Sequence, residues 1–499
     1  MKVGTQMIIG GLDIGSTGAK LTVFNSNGEI LHSGYQTYPV HRRANSHEID
    51  GEAIWGSAKT LIKGANSLSL SAIGITSFGD SFVLLDENEN TLLPVMLYTD
   101  PRGIEEAITI SQTLGDDKIC SIAGCLPHSI FSLPKLMWIK KHRPDIYHKA
   151  KYCCLMADFL GYRLTGNRMI DYSLATRTMG FDIQNLCWSN EIFETTEIDP
   201  ILFSTPVPSG TIAGVIRPNL AKELGVDSSL QIVICSHDQV AAATGSKVLT
   251  AGQATDGAGT VACITPIFSN IPPNAKLQQN HYTVVPFLNG ENYCTYAYSY
   301  TGGALIKWFV DIFATKEKEL AKEQGISVYE YLESFMKDEP TGILVLPHFA
   351  GAATPYMDNG SRGAFIGLQL SNNISDMYRA CIEGITYEMA LNLDRLRDCG
   401  IQVENLCATG GCASSRLWLQ MKADILNIPI IRMKVDEAGT VGGIMLTGIA
   451  IGVFKDLSTA AEILQKPLET FYPRKEMHKK YMEIYQRYCK VYEAIRPLV

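Results

Sequence analysis

MIIGGLDIGSTGAKLTVF, residues 7–24, decides the fold. An apolar run ending at Asp13-Ile14 meets the turn Gly15-Ser16-Thr17-Gly18, and a second apolar run, Ala19 to Phe24, leaves it. Asn25-Ser-Asn-Gly28 turns the chain again before Glu29-Ile-Leu-His-Ser-Gly34, giving strand, turn, strand, turn, strand. A helix is expected around Ile54 to Ala65, followed by a strand at Ala72-Ile-Gly-Ile-Thr76.

The plan restarts about 240 residues later, where Gly252-Gln-Ala-Thr-Asp256-Gly-Ala-Gly259-Thr260 leads into Val261-Ala-Cys-Ile-Thr265. An Asp followed by a Gly-hydroxyl turn recurs at the spacing of a duplicated domain rather than of a short repeat. Two α/β domains of similar topology are expected, residues 1–248 and 249–499, with the boundary near Ser246 to Gly252. The second carries an amphipathic helix from about Ser375 to Cys399, a strand at Asn405-Leu-Cys-Ala-Thr409, helices after Ser414 and near Thr440, and a charged helical tail from Lys475 to Ile495. A chain of 499 residues exceeds what one hydrophobic core organises.

With 46% hydrophobic and 19% charged residues the chain can bury large cores. Acidic residues outnumber basic ones by 51 to 43 without any dense Lys/Arg block, which argues against nucleic acid as a partner. The opening residues show no leader pattern, and thirteen cysteines, Cys153-Cys154 among them, read as reduced thiols of the cytoplasm. Ala438 to Phe454 is uncharged but short of the roughly 20 apolar residues of a membrane span. It is expected to be a buried, small-faced helix, and no membrane partner is expected.

Between two strands, the glycines of Asp13-Ile-Gly15-Ser16-Thr17-Gly18 let backbone amides turn toward an anion, and the two hydroxyls add donors. This is a phosphate cradle without the GxxxxGK[ST] spacing. Asp13 could hold Mg2+ through water. One such hairpin is equally well a plain tight turn; a second at Asp256 to Thr260 suggests two turns gripping one polyphosphate. Thr409-Gly410-Gly411-Cys-Ala-Ser-Ser415 joins a strand to a helix, as a structural cap or as a place where a base or ribose meets bare backbone. Leu230 to Cys235 delivers Ser236-His237-Asp238-Gln239 to the start of a small-residue helix. Asp238 there is either an N-cap or a reacting group at a strand's C-terminal end, and a lone His237 is more often a packed residue than a catalyst. Thr76-Ser-Phe-Gly79-Asp80 and Tyr98-Thr-Asp100-Pro-Arg102 come after other strands and suit hydroxyl recognition or a solvated loop.

In this order, together with Thr301-Gly302-Gly303-Ala, Leu346-Pro-His-Phe-Ala-Gly351, Arg362-Gly-Ala-Phe-Ile-Gly-Leu368 and Glu437-Ala-Gly-Thr-Val-Gly-Gly443, these segments resemble the FGGY carbohydrate kinase family. The resemblance implies two ribonuclease-H-like domains of the actin and hexokinase superfamily, closing over ATP and a small-molecule sugar, with Mg2+ as cofactor and a homodimer as the expected assembly. It implies Asp238 as catalytic base, Gly15, Ser16, Thr17, Gly259 and Thr260 as phosphate contacts, and Asp13 near the metal. Gly302, Gly303, Gly410, Gly411 and Ser415 match nucleotide-side positions, and Asp80, Gly79, His237 and Gln239 match the sugar side. Glycerol kinases carry an Arg before the acid at the Asp80 position and a Tyr in a later helix; this chain has Gly79 and Ile130. A more open pocket and a ketose substrate are therefore expected. Phe78-Gly-Asp80 and Ser236 to Gln239 look closer to the deoxy-ketose kinases, fuculokinase and rhamnulokinase, than to xylulokinase. The alternatives are a non-catalytic nucleotide switch and a sugar-sensing regulator on the same fold.

Overall fold

Strand Ile8–Ile14 pairs antiparallel with Gly18–Asn25, with Asp13 opposite Lys20, and Ile30–Thr37 extends the meander. On its other side Ile8–Ile14 runs parallel to Ala72–Ser77, which runs parallel to Gln231–His237, and Thr211–Val215 closes the edge. These six strands form one sheet in the computed structural model, which describes residues 7–434 and 437–499. Residues 1–6, on which the expectation about a leader rests, lie outside the described residues. The central strands are buried on both faces, which is why they read as continuous apolar runs rather than as alternations.

The second half repeats the arrangement. Gln253–Ala258 and Ala262–Phe268 make the hairpin, and Asn405–Thr409 and Ile430–Met433 join it in parallel, with Pro467–Phe471 antiparallel at the edge. Ala297–Ser299 joins the hairpin as the counterpart of the third meander strand. The expected long helix spans Ile374–Asp398, held at its start by a reciprocal cap between Asn373 and Asp376. The tail is two helices, Lys475–Tyr488 and Val491–Ile495, rather than one. All thirteen cysteines are unpaired, and no described helix is long and apolar enough to cross a membrane.

Two helices tie the halves together. Asp238–Gly245 continues from Gln231–His237, and Ala438–Ala450 comes after Ile430–Met433. The second lies beneath the sheet of the first half: a Cβ added to Gly11 would stand 2.8 Å from the Thr440 carbonyl oxygen, and one added to Gly74 would stand 1.9 Å from Thr447 Oγ1. The helices also cross at backbone contact. A Cβ on Gly245 would lie 1.9 Å from Ala438 O, and one on Gly442 equally close to Ala241 O. Ala438 to Phe454 is thus mostly a buried helix with a glycine face, as its composition predicts.

No side-chain adjustment relieves a clash with backbone. Gly442→Ala is therefore expected to destabilise the protein by about 3 kcal/mol or more, the upper end of the overpacking range. Gly56→Ala is the control: it lies inside helix Gly51–Gly64 with nothing within 4 Å of the added methyl, and stabilises by about 0.5–1 kcal/mol through helix propensity. Thermal unfolding of both variants checks this; an unchanged midpoint for Gly442→Ala would show that the crossing is looser than described.

Candidate active site

The parallel strands of the first sheet end in register, Asp13 beside Thr76 and His237 beside Ser77, so the residues just past each strand collect at one edge. Asp13 Oδ1 accepts the Thr76 hydroxyl at 2.9 Å, while Oδ2 faces Gly439 at the start of the second crossing helix. Burial, aided by nearby Glu437, lifts the Asp13 carboxyl to about 6, against the pull of Thr76 and Lys20. Glu437 and Lys20 form an ion pair beside it. The turn at Gly15, Ser16 and Thr17 stands open at the hairpin tip, closed by the Gly15 amide on Gly18 O at 2.9 Å.

Asp238 is the first residue of its helix, and its side chain keeps 32% of its exposure. Burial of the carboxylate, then the charges of Asp13 and Asp80, raise it to about 7, with Gln239 opposing the shift. The three carboxylates therefore share one electrostatic environment. His237 Nε2 lies 3.2 Å from Asp238 Oδ1, and Nδ1 lies 2.9 Å from the Tyr296 hydroxyl. The His237 amide donates to Ser173 Oγ at 2.9 Å. Both ring nitrogens of His237 thus face protein groups rather than open cleft. Burial and the Arg177 guanidinium hold the ring well below the usual histidine range, so it is neutral.

Asp80 comes after Gly79 with a φ of 68°, a backbone region that Asp tolerates better than most residues. Its Oδ1 accepts from Arg177 Nε at 2.9 Å and lies 2.8 Å from Nη2. Burial raises the Asp80 carboxyl, and the charges of Arg177 and then Lys135 oppose that rise. At Gly79 the open space expected from the sequence is absent. A Cβ there would lie 2.7 Å from Arg177 Cγ and 3.0 Å from His237 Cδ2, because the Arg177 stem runs across the bare backbone. Ile130, set against a helical tyrosine of the glycerol kinases, sits in the turn before helix Ser132–His142, where its carbonyl accepts from the buried Lys135 ammonium at 3.3 Å.

In the second half the hairpin tip at Gly259 and Thr260 is likewise exposed. The Gly302 and Gly303 amides are engaged by that turn, donating to Thr260 O at 2.9 Å and Gly259 O at 2.8 Å, which seats helix Gly303–Phe313 on it. Asn405–Thr409 ends level with Gly257, so Gly410 and Gly411 emerge at the same sheet edge; Gly410 has a φ of 86° and Gly411 is exposed with free space around it. The Ser415 hydroxyl caps the next helix at Trp418 N and donates to Glu333 Oε1 at 2.8 Å. Asp256 differs from Asp13, since it is buried in an ion pair with Lys422.

Sequence reasoning missed Arg177, Lys135 and the tyrosines of Tyr296-Ala-Tyr298-Ser-Tyr300. Tyr98 meets the Ser16 hydroxyl and feels Asp238 and Asp80, while Tyr300, stacked edgewise on Tyr298, feels Tyr98. The period-two spacing of the three tyrosines was a signal that one strand face carries them. Nothing local marks Arg177.

The profile of the FGGY family of carbohydrate kinases, N-terminal domain, matches residues 8–245, and that of the C-terminal domain matches residues 259–451. Xylulose kinase of Bacillus subtilis is 26% identical over 499 residues, covering 98% of this chain and 97% of that protein. Gluconokinase of the same organism is 27% identical over 471 residues, 91% of this chain and 90% of that protein. A ligand-bound xylulose kinase from Lactobacillus acidophilus superposes with a TM-score of 0.89 at 22% identity, covering 98% of each chain. The deoxy-ketose enzymes suggested by two short segments are not among these names.

Proposed function

The chain belongs to the FGGY family of carbohydrate kinases, and on that premise we propose that it phosphorylates a hydroxyl of a ketose, with Asp238 taking the proton of that hydroxyl. ATP-dependent sugar phosphorylation comes with membership of the family, and the non-catalytic switch and sugar sensor are left without a supporting observation. The ketose is favoured by the full-length likeness to proteins named xylulose kinase. The observation that carries the role of Asp238 is its place: a partly accessible carboxylate at a strand's end, on the helix that ties the halves together, with Asp80 and Asp13 close by.

Phosphoryl transfer asks the protein for in-line positioning and charge neutralisation more than for covalent participation. In this reading residues 1–248 hold the sugar, with Asp80 and Gln239 accepting or donating to its hydroxyls beside Gly79. Residues 249–499 hold the nucleotide, with Gly410, Gly411 and the Ser415 end of the turn on its base and ribose side. Gly15, Ser16 and Thr17 face the phosphates from one half, and Gly259 and Thr260 from the other; Gly302 and Gly303 act by seating the second turn. His237, neutral and held by Tyr296, steadies Asp238 so that the carboxylate meets the acceptor hydroxyl as it attacks.

Asp13 supplies a hard oxygen donor whose affinity for protons is raised by burial and by nearby Glu437. This is the donor chemistry of a divalent cation such as Mg2+, which keeps several waters and needs few carboxylates. Bound there with ATP, it would neutralise phosphate charge. Among the described residues no cluster of three or more His, Cys, Asp or Glu forms a cage by itself.

A screen of ADP release over ketoses, polyols and aldonates tests the substrate class. At least one pentulose or hexulose is expected to give a higher kcat/KM than either glycerol or gluconate; a best response to glycerol or gluconate would refute the ketose. Asp238→Asn is expected to keep ATP affinity and folding while lowering kcat on the order of 100- to 10,000-fold, the range of general-base catalysis. Near-normal turnover would remove Asp238 from the role. A base works ionised, so with Asp238 raised to about 7, kcat/KM should climb as pH rises through that value and level off above it. That limb should vanish from the residual activity of Asp238→Asn, and its persistence would assign it to another group.

A further inference from the structure

Arg177 closes a short helix, Tyr172–Thr176, whose start is anchored by Asp171 to the Ser173 and Leu174 amides and to the Ser173 and Ser209 hydroxyls. The same helix holds the His237 amide through Ser173. From this fixed base the guanidinium reaches Asp80, a residue far from it in sequence. It is 6% exposed, with Phe131 4.9 Å and Tyr296 5.8 Å from its centre. Ser132 locks both ends of the bridge: its hydroxyl donates to Asp80 O at 2.7 Å and its amide to Arg177 O at 3.4 Å.

Two features set this pair apart from an ordinary buried ion pair. Nε and Nη2 both converge on Oδ1 of Asp80, and no described group donates to Oδ2. Nη1 meets no acceptor although it is buried. A pair arranged for stability alone would use a bidentate fork on both carboxylate oxygens and satisfy the remaining N–H groups.

We propose that Arg177 is a specificity-determining residue of the sugar site: lying across Gly79, it takes Oδ1 of Asp80 and leaves Oδ2 as the oxygen that receives one substrate hydroxyl. Gly79 is part of the device, because only a residue without a side chain lets the arginine stem pass. Arg177 acts on the sugar through Asp80, so it is a positioning residue. The inference rests on the reading of Asp80 as a sugar contact.

The test uses the best sugar from the ADP-release screen and compares Asp80→Asn, Arg177→Gln and Gly79→Ala with the unaltered protein. Arg177→Gln is expected to raise the sugar KM about tenfold or more, as for loss of a charge-assisted contact. The ATP KM should stay within about twofold, since the nucleotide is held elsewhere. Gly79→Ala, which keeps the charge but displaces the stem, should shift the sugar KM in the same direction by a smaller factor and decides the matter if Arg177→Gln does not fold. If sugar and ATP KM rise together, or the sugar KM of a folded variant stays within about twofold, the proposal is overturned. Asp80→Asn separates the premises: an unchanged sugar KM there refutes the sugar site at Asp80, whereas a raised one beside an unchanged Arg177→Gln refutes only the role of Arg177.

Discussion

The backbone-to-backbone crossing of Asp238–Gly245 and Ala438–Ala450 is the contact on which the rest of the structure depends. Ala438 O sits against Gly245 and Ala241 O against Gly442 with no room for a methyl group. The same two helices begin at the chemistry. Asp238 opens one, and Gly439, in the first turn of the other, lies 3.6 Å from Asp13 Oδ2 when a Cβ is placed on it. The packing of the two halves demands glycine at the crossing, and the same two helices bring Asp238 and Asp13 to one place.

The two hairpins have diverged within a common plan. Asp256 is neutralised by Lys422 and buried, whereas Asp13 has a hydroxyl for its nearest partner and a carboxyl poised at about 6. The second turn contributes backbone and shape, fixed by the Gly302 and Gly303 amides. The first contributes charge. Duplication supplied matching frames, and the ionic character of the site was assigned to one of them.

Much of this was legible in the sequence, because hairpins, strand ends and helix starts are local. Asp13, the Gly15 to Thr17 turn, its repeat at Gly259 and the strand-end Asp238 all announce themselves by neighbours in the chain. The pocket wall does not. Gly79 read alone means an absent side chain, and the space is in fact filled by Arg177, whose approach depends on a short helix anchored by Asp171 and on Ser132. Ile130, aligned with a helical tyrosine of the glycerol kinases, lies in the turn before helix Ser132–His142, a boundary that no side-chain cap marks in the sequence. His237 matched a sugar-side position although a lone histidine is more often packed, and Tyr296, brought in from the other half, holds its ring. Contacts made across the sheets are invisible to patterns of period two or 3.6.

The helix crossing also has a mechanical meaning. Two rods touching backbone to backbone have no slack between them, so the crossing works as a rivet that fixes how close the halves stand. Asp238 starts one rod, and Gly439 in the first turn of the other stands against Asp13, so the rivet also sets the reach from one carboxylate to the other.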